Sequence, residues 1–195
     1  FLLIFFDPFL FKVTFDVKLY NTVLINTSIL SFYLIPIFFI TLFLNKKKPL
    51  IEKKQQFSFI VISVTIVLLL SIFFDYNYKI GGGYFLKLSY LIINNEFLFL
   101  ISSAVGLILL FNLAKENNDN ILLICLLIFG FSAYMIFQKY FEPMFFFIFF
   151  LMIKSIIPKI FLKNIKNIYF LFFYLTIYLT TAIINDVYKI TKTVL

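Results

Sequence analysis

The stretch VLINTSILSFYLIPIFFITLFL, Val23 to Leu44, carries no charged residue. A helix needs ~20 mostly apolar residues to cross the hydrocarbon core of a bilayer, so this run reads as a membrane span. Pro36 lies inside it and predicts a kink, because proline lacks an amide hydrogen and its ring crowds the preceding turn. Working outward, comparable runs fall at Phe57 to Phe74, Phe97 to Ala114, Ile121 to Phe137, Phe141 to Ile157 and Ile168 to Ile184. The expected fold is all-α, a polytopic transmembrane helix bundle of about six spans. Several runs are slightly short, so snorkelling lysines and interfacial tyrosines are expected to extend them. The organisation that follows is an N-terminal outer segment over 1–22, the bundle over 23–184 and a C-terminal tail over 185–195.

Composition agrees. The 195 residues are 63% hydrophobic and 13% charged, where a soluble domain carries ~25% charged residues. Mean hydropathy is +1.06. There is no His, which removes an imidazole base, a histidine metal site and Ser–His or Cys–His catalysis. All 17 basic residues are lysines, so no guanidinium is present to clamp phosphate in bidentate fashion. The single Cys125 makes no intrachain disulfide and no thiol cluster. No metal site and no cofactor are expected. The chain begins at Phe1 inside an apolar stretch with no basic segment before it. It reads as a C-terminal fragment or a processed chain, and Phe1 to Phe11 is not read as a signal peptide.

Net charge is +8, but the lysines fall mainly between the hydrophobic runs. They read as topological signals, and nucleic acid is not an expected partner. The loop Asn45 to Gln56 carries Lys46, Lys47, Lys48, Lys53 and Lys54, which places it in the cytoplasm. With six spans, the cluster Lys154, Lys159, Lys163 and Lys166 and the loop Lys115 to Asn120 share that side. The outer side then holds the N-terminal segment, Asp75 to Glu96, the Gln138 to Phe141 turn and the tail. Six of the acids, Asp7, Asp16, Asp75, Glu96, Glu142 and Asp186, fall outside without having been used to set the orientation. The outer face is therefore where chemistry is sought, although acids also avoid a positive inner face for no functional reason.

Two outer segments stand out. The first runs from Asp75 through Lys79 and Gly81-Gly82-Gly83 to Lys87. A helix from Tyr84 to about Ile93 would rise ~15 Å, half a bilayer core, as an interfacial or re-entrant helix does. Glycines at its N-terminus would turn backbone amides toward an anion such as a phosphate, flanked by Lys79 and Lys87. A flexible hinge into a tyrosine-anchored helix is the plainer reading of the same residues. The second segment is Gln138-Lys139-Tyr140-Phe141-Glu142-Pro143. Glu142 and Pro143 suit the first turn of a helix, while Lys139 and Glu142 also suit contact with a polar substrate, as charges at a membrane edge do. Asn185 and Asp186 close the last run on the same outer side, and Lys154 reads as a snorkelling residue. Polar groups inside the runs are few, with Ser102, Ser103, Thr176 and Thr180 the main ones.

Short inner loops, with outer loops holding acids, lysines and a half-membrane segment, resemble the architecture of polytopic GT-C-type membrane glycosyltransferases. The resemblance is architectural, covers most of the chain and rests on no catalytic motif, and the lack of arginine departs from it. It implies a lipid-phosphate sugar donor used at the non-cytoplasmic face, in a bacterial inner membrane. It also implies an outer carboxylate as catalytic base, for which Asp7, Asp16 and Glu142 are the candidates. Asp75, Lys79, Gly81, Gly82, Gly83, Lys87, Gln138 and Lys139 would then bind substrate. A transporter or flippase, and a structural subunit with partners in a membrane complex, are the competing classes. Membrane lipids are expected neighbours in every case.

Overall fold

A computed structural model describes residues 18–44, 53–78, 81–130, 132 and 135–194. It is helical, with no strand among the described residues. The chain divides into two compact units, one of Phe1–Ile35 with Pro49–Ser155, the other of Pro36–Lys48 with Ile156–Leu195.

The helices are α1 (Leu19–Phe39), α2 (Lys53–Ser71), α3 (Gly83–Ile92), α4 (Phe97–Glu116), α5 (Asp119–Phe129), α6 (Gln138–Phe147), α7 (Ile156–Lys163) and α8 (Ile165–Val194). π-helical turns at Ile40–Leu44 and Ile148–Met152 extend α1 and α6. Three helical stretches are long and apolar enough to cross a membrane: Leu19–Leu42, Phe97–Glu116 and Ile165–Ile183. The bent pair Gln138–Met152 with Ile156–Lys163 makes a fourth if counted as one broken span. Six full spans are not present among the described residues. The run expected over Ile121 to Phe137 is helical only to Phe129, and the one expected over Phe141 to Ile157 breaks after Met152.

In the first unit, α1 and α4 lie side by side and run the same way. Thr27 Oγ1 and Ser103 Oγ are 2.7 Å apart, and Ser28 Oγ and Ser102 Oγ are 2.6 Å apart. Gly106 lets the backbones touch, because a Cβ there would collide with the carbonyl oxygen of Thr27. Small residues and hydroxyls are what bring helices together where no water drives association. Asn26, Thr27, Ser28 and Ser31 are all buried on α1.

Both helices begin near one end of this unit. There Asn21 grips Asp75, its Nδ2 donating to the Asp75 carbonyl at 2.6 Å and its Oδ1 accepting from the Asp75 amide at 3.2 Å. Phe74, after α2, packs its ring 5.0 Å from that of Phe99. From Asp75 the chain then turns inward. A Cβ on Gly83 would meet the side chain of Ile29 at 2.8 Å. Ile29 lies eight residues beyond Asn21 on α1, about 12 Å along the helix at 1.5 Å per residue. Helix α3 climbs back, and its Ser89 Oγ accepts from the amides of Leu98 and Phe99 at the start of α4. Asn94, with φ of +54°, separates α3 from α4. Gly81, Gly82 and Gly83 thus lie deeper in the unit than Asp75 or Asn94, and the expected short helix over Tyr84 to Ile93 is present at Gly83–Ile92.

The other end of the unit is pinned by Asn120. Its Nδ2 donates to the carbonyls of Leu113 and Lys154, and its Oδ1 accepts from the Lys154 amide at 2.9 Å. These bonds replace the helical ones that Lys154 gives up, which is why the expected fifth span stops there. Lys154 Nζ pairs with Asp119 at 2.6 Å rather than reaching out alone. The residues expected on the inner side, Lys115 to Asn120 and Lys154, therefore do lie together.

In the second unit, α7 and α8 each pack on the π-turn Ile40–Leu44. Phe161, Ile157, Pro158 and Leu171 are buried, and Asn167 Nδ2 donates to the Phe161 carbonyl at 3.0 Å. Over Ile165–Ile183 of α8 most of the apolar side chains are exposed, with only 11% of its most apolar window buried. The helix runs on through Asn185 and Asp186 to Val194, beyond the Ile184 end expected for it.

Candidate functional site

Three helix ends meet around Asn26 and Ile29 of α1, well inside the first unit. The C-terminal end of α5 arrives from one direction, and its Ile128 carbonyl accepts from Asn26 Nδ2 at 2.7 Å. The N-terminus of α3 arrives at Gly83, beside Ile29. The N-terminus of α6 arrives at Gln138, whose Oε1 accepts from the Tyr84 amide at 2.8 Å and lies 3.6 Å from where a Gly83 Cβ would stand.

The glycines are required by their backbone geometry, and Gly81 by its surroundings as well. All three have φ between +81° and +85°, a region that disfavours side chains. A Cβ on Gly81 would also collide with the Ile136 carbonyl at 2.6 Å, while those on Gly82 and Gly83 would press on the side chains of Leu86 and Ile29. The loop is stitched to the chain before α6. The Gly82 amide donates to the Ile136 carbonyl at 2.8 Å, and the Ile136 amide donates to the Tyr76 hydroxyl at 3.0 Å. Two of the amides expected to face an anion, those of Gly82 and Tyr84, are therefore bonded to neutral oxygens.

Glu142 lies one turn along α6 from Gln138. At 100° per residue the two are about 40° apart, on the face that also buries Phe145 and Phe149. Glu142 is half-buried and has no hydrogen-bond or ion-pair partner among the described residues. Pro143 follows it inside α6, not at the first turn as expected, so position 143 sends no amide to the Lys139 carbonyl. Two polar atoms near this junction are buried with no partner among the described residues: Gln138 Nε2, on a residue 7% exposed, and Asn26 Oδ1, on a residue 0% exposed.

The remaining expected site residues are dispersed. Asp75 is at the end of the unit, its carboxylate 2.7 Å from Lys18 Nζ in an exposed ion pair. Lys139 folds over the rings of Phe137 and Tyr140, 5.8 and 5.0 Å from their centroids. Lys87 is exposed on α3. Asp7, Asp16 and Lys79 lie outside the described residues. At the mouth of the loop, Tyr90 stacks on Tyr78 with ring centroids 4.0 Å apart and donates to Glu96 Oε1 at 2.7 Å. Burial first, then the Glu96 hydrogen bond and charge and the nearby Tyr78, push the Tyr90 hydroxyl up to about 12.

So the structure brings together Gly81, Gly82, Gly83 and Gln138, with Glu142 one turn on. Asn26 belongs with them and was not singled out from the sequence. Its signal was there, as Asn26-Thr27-Ser28 is a polar triplet in the middle of an apolar run. Ser102 and Ser103 are bonded to α1 rather than lining a path. No group of metal-binding side chains occurs among the described residues.

What these features define is a class: a helical protein, among its described residues, with helices long and apolar enough to cross a membrane and a glycine turn packed between two other helix ends. Beyond the class, the chain matches no family model, no curated protein and no solved structure.

Proposed function

We propose that the chain is a multi-pass protein of a bacterial inner membrane, or part of one, that transfers a sugar from a lipid-phosphate donor at the non-cytoplasmic face. Counting α2 and α5 with the three long helices and the broken pair gives about six crossings. The observation that carries the reading is Glu142: a carboxylate without a partner on the core face of α6, one turn from Gln138 and the glycine tip. An unpartnered ionisable group in a partly buried, apolar setting is costly unless it is used. In this reading Glu142 takes the proton of the acceptor hydroxyl, and Lys87 and Lys139 attract the donor phosphate from the outer side.

A second reading is favoured by the three helix ends. Broken helices meeting at depth are how transporters hold a solute, so movement of a polar solute across the membrane competes with its transfer to an acceptor.

The test is sugar transfer by the full-length protein in proteoliposomes. Glu142→Gln keeps size and hydrogen bonding, and should cut transfer about ten-fold or more if Glu142 moves a proton. Lys115→Gln, at the opposite end of the unit, should leave it unchanged. Equal effects of the two variants would end the transferase reading.

A further inference from the structure

We propose that Asn26 and Gln138 form a buried subsite for a neutral, hydroxyl-bearing group, and that this subsite excludes phosphate. It goes beyond the reaction proposed above and holds whether the ligand is transferred or transported.

The unsatisfied atoms decide the chemistry. Asn26 is held by the Ile128 carbonyl through Nδ2, which fixes its Oδ1 as an acceptor in search of a donor. Gln138 is held by the Tyr84 amide through Oε1, which fixes its Nε2 as a donor in search of an acceptor. Neither amide can flip without losing the bond that holds it. Glu142, one turn beyond Gln138, adds an acceptor. Leaving such groups unmet costs ~1–3 kcal/mol each.

The two residues belong to one three-helix junction. Asn26 is one turn from Ile29, Ile29 touches the Gly83 position, and Gln138 borders that same position. A phosphate brings acceptors and negative charge, so it would satisfy Gln138 and repel Asn26 Oδ1 and Glu142. An ammonium brings donors alone, so it would satisfy Asn26 and Glu142 and strand Gln138 Nε2. A hydroxyl both donates and accepts. Two or more hydroxyls on one ligand satisfy all three groups. The helix ends agree, with the N-termini of α3 and α6 at the donor side and the C-terminus of α5 at the acceptor side.

The experiment is equilibrium dialysis of labelled methyl glucoside, inorganic pyrophosphate and methylammonium against the full chain in lipid nanodiscs. Saturable binding of methyl glucoside, with Kd about 1 mM or tighter, is expected for the wild type, with none for the other two. Gln138→Met should weaken it about ten-fold, the size of one hydrogen bond. Gln138→Glu keeps the acceptor for Tyr84 but turns the donor into an acceptor. It should shift preference toward methylammonium, a change that simple unfolding cannot produce. Saturable pyrophosphate binding would overturn the proposal in favour of an anion cradle. Absence of binding by all three probes would overturn it in favour of closed packing. Neither result bears on the Glu142 transfer assay, so the two readings fail separately.

Discussion

Thr27 and Ser103 join their hydroxyls at 2.7 Å across the α1–α4 seam, and both residues are fully buried. Gly106 lies one turn beyond Ser103, where the Thr27 carbonyl leaves no room for a side chain. Gly106→Ala should therefore destabilise the protein by ~1–3 kcal/mol through overpacking. Ser103→Ala should cost only ~0.6 kcal/mol, as single interhelical hydrogen bonds do in membranes. Unfolding of detergent-solubilised protein measures both, and a larger effect from Ser103→Ala would show that the hydroxyls, not the close approach, hold the seam.

At the glycine tip, Gly81→Ala meets the Ile136 backbone as well as a forbidden φ, while Asn94 has a positive φ that asparagine tolerates. Asn94→Gly is expected to be neutral or slightly stabilising, and Gly81→Ala to cost about 1–3 kcal/mol. If Gly81→Ala proves neutral by thermal melting, the loop does not enter the unit as described.

The orientation is tested with single cysteines at Lys48 and Lys79 after removal of Cys125. The lysine cluster predicts labelling of the first from the cytoplasmic side and of the second from the other. Labelling of both from one side would remove the outer-face assignment of the glycine loop.

Tyr90 gives a pH signature. Its folded value of about 12 lies above the ordinary tyrosine value of 10.0. The neutral hydroxyl is therefore favoured by folding, and its contribution is complete below pH 10 and lost as pH rises from there toward about 12. The melting difference between the wild type and Tyr90→Phe should be constant from pH 7 to 9 and shrink above about pH 10. A difference that grows with pH would mean Tyr90 is stabilised as the phenolate.

Much of the helical plan is legible in the sequence because charge-free runs and lysine clusters respond to the same bilayer constraint. The α3 helix is legible as well, since Gly81 to Gly83 can open a helix but not continue one. The broken helices are not legible. Nothing in Ile121 to Phe137 announces that Asn26, a hundred residues earlier, will take the Ile128 carbonyl, nor that Asn120 will take the backbone of Lys154. Hydropathy records how apolar a run is and is blind to side chains that substitute for helical bonds. The site follows the same division. Gly81, Gly82, Gly83 and Gln138 are visible as local oddities, whereas Asn26 becomes visible only through its partner.

The stitching of the glycine tip also sets an order of events during biosynthesis. The Tyr84 amide and the Gln138 side chain that caps it are 54 residues apart in the chain. At ~5–20 residues per second, a ribosome needs about 3 to 11 s to make that interval. Until then the start of α3 has no Gln138 to receive its amide, and a bare amide is costly in an apolar setting. The tip is therefore expected to wait at the water-facing boundary and to enter late. A nascent chain stalled before Gln138 should expose Gly83 to solvent, and one released after α6 should not.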